Sequence, residues 1–224
     1  MSRTLALASL AALCAAPAAA QTQKQNVVWT AAPTAAEVAA AFPDKAKGAG
    51  VGGGVEMMCT ARTDGTVSDC EVIGENPRGY GFGTAARKLA EQKMRAVGVA
   101  KSDEVRVPLA FPAELAKDTT YTVKTPVWTA LPTVGEIQAA VPKTEGGANN
   151  ARVTLICDVQ AGGKLSGCVV DREDPAGQGF GAAILTLASK FEVGPLSAEA
   201  TPTVGAKVRV PVRFDLKPVQ QAAQ

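Results

Sequence analysis

One cysteine-bearing stretch of this chain occurs twice, and that duplication limits what the chain can fold into. Cys59 and Cys70 return as Cys157 and Cys168, at an offset of 98. Pro77, Gly79, Gly81, Phe82 and Gly83 return as Pro175, Gly177, Gly179, Phe180 and Gly181 at the same offset. Asp64-Gly65 lies midway between the first two cysteines, and Gly162-Gly163 midway between the second two. Such dipeptides sit at the tips of two-stranded hairpins. Each cysteine pair therefore faces across its own hairpin if the loop has two or four residues. A three-residue loop with a bulge shifts the register by one and separates the cysteines. Paired as 59–70 and 157–168, they form two intra-hairpin disulfides.

Alternation supports this reading. Val55, Met57, Cys59 and Ala61 share one strand face, as do Val153, Leu155, Cys157 and Val159. The cysteines thus lie on the apolar side, and a bridge there is buried and structural. Zinc sites use closer ligand pairs than these tenfold intervals, and no Cys-x-x-Cys is present for redox work.

Around each hairpin the chain repeats its other signals. Trp29 returns as Trp128, the only two tryptophans, and both read as packing anchors. Thr34 with Glu37, and Thr133 with Glu136, are capping boxes that open short helices over 34–42 and 133–141. Pro43 and Pro142 end them. The capping role explains both glutamates without catalysis. Residues 45–54 are glycine-rich but lack the lysine and hydroxyl of a phosphate loop, so a flexible connector is expected. Phe82 and Phe180 precede second helices, over 84–97 and 182–193, and plug the core. Each repeat closes on one alternating strand, Val105 to Phe111 and Val208 to Phe214. Pro108 and Pro211 within those strands place them at a sheet edge or a bulge. The loop before the final strand is five residues longer in the second repeat.

Residues 1–20 are expected to be a secretory signal peptide, with Arg3 at the start, an apolar run, and Ala18-Ala19-Ala20 before Gln21. An uncleaved anchor facing the periplasm is the alternative. Residues 21–118 and 119–218 then form two repeats, followed by a polar tail at 219–224. The net charge of +2, about +1 once Arg3 leaves with the leader, argues against electrostatic capture of nucleic acid or of an anionic membrane, and no long apolar run follows the leader to insert in a membrane. Histidine is absent, which removes the commonest general base, and no nucleophile motif appears. No catalytic residue, metal ligand or cofactor site is expected, and the chain reads as a non-enzyme.

Each repeat reads helix, strand, strand, helix, strand: an α+β fold of two tandem three-stranded antiparallel sheets, each packed on two helices. The order, the Asp-Gly hairpin and the closing Val-x-Val-Pro-x-x-Phe strand resemble the C-terminal domain of TonB-type energy transducers. The tandem copy and the internal disulfides depart from the best-known members. The resemblance implies a periplasmic, non-catalytic interaction module. Its partner is a protein or extended peptide, such as a segment of an outer-membrane receptor, added as an extra strand in TonB-dependent transport. Carried over by position, Arg106, Val107, Arg209, Val210 and Arg213 are the candidate partner-binding residues. The arginines project away from the core, whereas valines at these positions also read as core. A structural envelope protein, or a small-ligand binder without a transport role, is the alternative.

Overall fold

The structure is a computed structural model that describes residues 23–24, 27–142 and 150–215. The expected signal peptide and polar tail lie outside the described residues. The first repeat runs β1 (Gln23–Lys24), β2 (Val28–Ala31), α1 (Ala35–Ala40), α2 (Asp44–Ala49), β3 (Gly53–Ala61), β4 (Val67–Asn76), α3 (Phe82–Lys93), β5 (Arg95–Val97) and β6 (Glu104–Phe111). A 3-10 turn, Ala113–Lys117, leads to the second: β7 (Thr122–Val123), β8 (Trp128–Ala130), α4 (Val134–Ala140), β9 (Asn150–Val159), β10 (Leu165–Asp174), α5 (Phe180–Thr186), β11 (Glu192–Val193) and β12 (Lys207–Asp215). The fold is α+β. Its two main sheets have the orders β1-β6-β3-β4 and β10-β9-β12-β7.

The expected three antiparallel strands are present in each sheet, and each sheet gains a fourth. β1 and β7 are two-residue strands that pair parallel with the start of β6 and β12. Two further ribbons join β2 to β5 and β8 to β11. The residues assigned above to the ends of the second helices make these ribbons. α3 stops at Lys93 and α5 at Thr186, and the chain then turns extended beside the tryptophan strand, in the second repeat after a 3-10 turn at Ala188–Lys190. Residues 45–54 are also not a flexible connector. α2 forms there, closed by Gly50 in the left-handed conformation, and β3 begins at Gly53. A Cβ on Gly53 would lie 2.4 Å from the Phe82 ring, so the glycine is what lets that ring sit over the strand.

Both hairpins form the expected disulfides, by a different route. The loop has three residues: Ala61 pairs with Val67, and the Arg62 N–H donates to the Thr66 carbonyl at 2.9 Å. That register alone would set Cys59 opposite Asp69. A bulge at Asp69, with φ of 51°, adds one residue to β4 and brings Cys70 opposite Cys59. Gly167, with φ of 56°, does the same for Cys157 and Cys168. The Cα atoms of the bridged pairs are 4.1 and 4.0 Å apart.

The hairpin tips are pinned as well. Ala96 of β5 donates to the Gly65 carbonyl at 2.8 Å. A Cβ on Gly65 or Gly163 would fall 2.3 or 1.9 Å from the carbonyl oxygen of Ala96 or Val193, so the tips admit no side chain there.

The inner faces carry the cores. Val55, Met57, Val105, Val107, Leu109 and Phe111 pack under Val38, Phe82, Ala86 and Leu89 in the first repeat. Val153, Leu155, Val208, Val210 and Phe214 pack under Phe180 and Ile184 in the second. Phe82 and Phe180 are wholly buried, as first residues of their helices. The second core is thinner, because α5 is short and α4 buries no residue. Cys168 is accordingly half-buried where Cys70 is buried.

Removing either bridge as a Cys→Ser pair should destabilise the chain by about 3 kcal/mol, since each closes a loop of separation 11. Urea unfolding of C59S/C70S and C157S/C168S against the oxidised chain measures this. Unchanged midpoints would contradict it.

Candidate functional site

The edges of the two main sheets are built alike and end differently. In β12, Lys207 donates its N–H outward to the Tyr121 carbonyl at 2.9 Å. Strand alternation then turns the peptide groups of Arg209, Pro211, Arg213 and Asp215 outward too, and those of Val208, Val210 and Val212 towards β9. In β6, Ala110 donates outward to Ala200, so Arg106 and Pro108 also face out. Both prolines therefore stand where a missing N–H breaks no bond to the neighbouring long strand.

The extra residues of the second repeat decide what happens at the first edge. The loop between β11 and β12 folds over the first repeat instead of staying in its own. Its Ala200 carbonyl accepts from Ala110 at 2.9 Å. Its Val204 carbonyl accepts from Ala35 at 2.8 Å, satisfying a free N–H in the first turn of α1. Ala198 donates to the Thr125 carbonyl at 3.0 Å, and the buried Tyr121 hydroxyl donates to the Pro202 carbonyl. Burial pushes the Tyr121 hydroxyl pKa well above its usual value, so the proton stays in place. The loop is self-braced: the Ser197 hydroxyl accepts from the N–H groups of Glu199 and Thr201, both at 3.1 Å. The Thr125 and Ser197 hydroxyls hold the Glu199 carboxyl below its ordinary range.

The edge of β6 is thus bounded by β1 at its start and by Ala200 near its end. The edge of β12 is bounded by β7 over Lys207 and Val208. Beyond Val208 no other strand pairs with it among the described residues.

The sequence-predicted residues distribute around these edges unequally. Arg106 is exposed and ion-paired with Glu56 at 3.1 Å. Arg209 is exposed and reaches Asp171 at 3.5 Å. Arg213 is exposed near the end of β12. Val107 and Val210 are core residues, 0% and 1% exposed. Their peptide groups face β3 and β9, so they offer neither side chain nor backbone at the edge.

Arg213 has neighbours that sequence reasoning missed. It lies directly opposite Arg152 on β9, with Asp174 beyond it on β10. One row along, Arg172 of β10 lies opposite Thr154. All three arginines are exposed on the face away from the helices. Their counterparts in the first repeat are Gly54, Gly74 and Ala110, by the same register. There the small residues floor a recess of about 560 Å³ whose other side is Ala198, Glu199 and Ala200 of the clasping loop. The signal was available as a divergence between aligned repeats, but only register shows that the three positions meet.

The two capping glutamates have a second partner each. Glu37 and Glu136 accept the backbone N–H of Thr34 and Thr133 at 2.9 and 2.8 Å, closing the expected boxes. They also bind Lys93 at 2.6 Å and Lys190 at 3.0 Å, tying α1 to the end of α3 and α4 to the 3-10 turn Ala188–Lys190 that follows α5. The ammonium of Lys93 and the Thr34 N–H hold the Glu37 carboxyl below its usual range. The Thr133 N–H and Lys190 bring Glu136 down to about 2.

Between the repeats, Val28, Trp29, Thr129, Gly163, Val193 and Pro195 line an apolar cleft of about 440 Å³. Trp128 instead packs edge-on against Phe191, ring centroids 5.8 Å apart. Among the described residues, no cluster of three or more histidine, cysteine or acidic side chains could hold a metal, and no helix is long and apolar enough to cross a membrane. No family model, no curated protein and no solved structure matches the chain.

Glu136 is deprotonated more readily folded than unfolded, where 4.5 is usual. Its stabilising contribution is therefore full above about pH 4.5 and is lost as pH falls towards about 2. E136Q should lower stability at neutral pH and lose its difference from the wild type near pH 2, read by urea unfolding across that range. A difference independent of pH would contradict the assignment.

Proposed function

We propose that the chain is a non-catalytic interaction module of the periplasm, related to TonB C-terminal domains, that takes an extended segment of a partner protein as an added strand. The observation that carries the reading is the asymmetry of the two edges. β12 presents outward peptide groups from Arg209 to Asp215 with no strand beyond β7 among the described residues. The equivalent edge of β6 is engaged by Ala200. The second repeat is the receptor in this reading, and the first is the scaffold that its long loop grips. Strand addition draws its affinity from main-chain hydrogen bonds and needs such an edge. Pro211 removes one donor, which limits indiscriminate pairing while leaving Arg213 and Asp215 to bond. Two disulfides in a chain with a signal-like leader support an oxidising compartment.

A second reading, a small-ligand binder, has the inter-repeat cleft in its favour. At about 440 Å³ the cleft is the size of known ligand sites, and it is mostly apolar. It lacks the convergent charged groups that fix a ligand's orientation.

An NMR titration of the oxidised chain with a short extended peptide alternating threonine and valine tests the first reading. Amide shifts should concentrate in residues 209–215 and spare 105–111, because Ala200 holds the first edge. Shifts at 105–111 alone, or none at millimolar peptide, would overturn it. Shifts around Trp29 and Val193 with small apolar probes instead would favour the cleft.

A further inference from the structure

We infer that Arg152, Arg172 and Arg213 form a carboxylate-recognising surface, and that the segment entering beside β12 is acidic. The inference rests on the strand-addition reading and names the chemistry of its partner. Three observations carry it. Arg213 and Arg152 stand directly opposite each other on neighbouring strands. Like charges in that relation repel, and a bound anion relieves them. Other basic residues on this face are already matched: Lys207 with Asp158 at 2.7 Å, and Arg209 with Asp171 at 3.5 Å. Arg152, Arg172 and Arg213 have no ion pair among the described residues, and Asp174 is the one carboxylate in their row.

The first repeat supplies the comparison. Where its edge meets the loop, the three equivalent positions are Gly54, Gly74 and Ala110, which line one side of the recess faced by Ala198, Glu199 and Ala200. Where the edge is open, the same three positions are guanidinium groups. The chain therefore shows a turn, with Ala200 left-handed, that meets one edge through a single backbone carbonyl, and a charged, uncovered version of that position at the other. A strand laid outside β12 sets alternate side chains on the arginine face, the first row opposite Arg213 at the usual cross-strand spacing of about 5 Å. Glutamate or aspartate there forms charge-assisted, bidentate bonds that lysine or a neutral side chain cannot.

The test is fluorescence anisotropy on the full oxidised chain with three labelled peptides. One alternates glutamate and valine, one replaces glutamate by glutamine, and one is the glutamate peptide N-methylated at alternate amides. The glutamate peptide should bind about tenfold more tightly than the glutamine peptide, with the gap closing as salt rises. R152Q/R213Q should abolish that preference, and R106Q in the first repeat should keep it. Equal binding of the two unmethylated peptides, or a preference that survives R152Q/R213Q, overturns the inference while leaving strand addition standing. Loss of binding on N-methylation supports entry at the edge. Undiminished binding of the N-methylated peptide sinks strand addition and leaves the arginine surface. Binding of neither unmethylated peptide overturns both.

Discussion

The contact on which the rest depends is the one between the long loop of the second repeat and the edge of the first. Its backbone carbonyls meet Ala110 and Ala35, and the Tyr121 hydroxyl meets the loop at Pro202. Ala35 and Tyr121 are buried, and leaving a buried donor unmet costs more than the bond itself contributes. Through these contacts the two repeats share a core: Tyr121, Val123, Leu196 and Ala206 join the apolar cluster of the first repeat. The same contacts engage the β6 edge at Ala110, so the two copies cease to be equivalent.

Within each copy the constraint is the cysteine hairpin. A three-residue loop and a bulge each shift register by one, in opposite senses, and together set the cysteines face to face. Asp69 and Gly167 take left-handed conformations to do so. Glycine adopts that region freely; aspartate is among the few other residues that tolerate it, helped here by the Ser68 hydroxyl donating to its carboxylate at 2.9 Å. The bulge lies inside the loop closed by the bridge, so the disulfide fixes the register at the hairpin tip, and a second shift, between Val170 and Arg172, sets the register further along β10. That second shift and the pairing of β9 with β12 bring Arg152 and Arg172, on consecutive strands, near Arg213.

Much of the fold was legible from residues. The capping boxes at Thr34 and Thr133, the prolines that follow them, the buried phenylalanines and the edge character of the proline-bearing strands all follow from local chemistry. The glycine-rich stretch misled because glycine reads as flexible alone. Here Gly53 is demanded by the Phe82 ring, and α2 forms over Asp44–Ala49, just before it. The helix ends misled because helical spacing continued past Lys93 and Thr186. Pairing with the tryptophan strands outweighed weak propensity there. Of the candidate site, Arg209 and Arg213 were visible from strand alternation. Arg152 and Arg172 were not, since each looks solvated on its own strand.

The sequence by itself determined the duplication, the two bridges, the alternation of core and surface, and the edge position of the final strands. These depend on contacts between residues near in the chain, or on periodicity that one strand displays alone. Tertiary structure decided which edge is filled and which is open, and which three arginines meet. Those outcomes depend on where a loop from one repeat lands on the other and on the register between strands, and no local propensity encodes either.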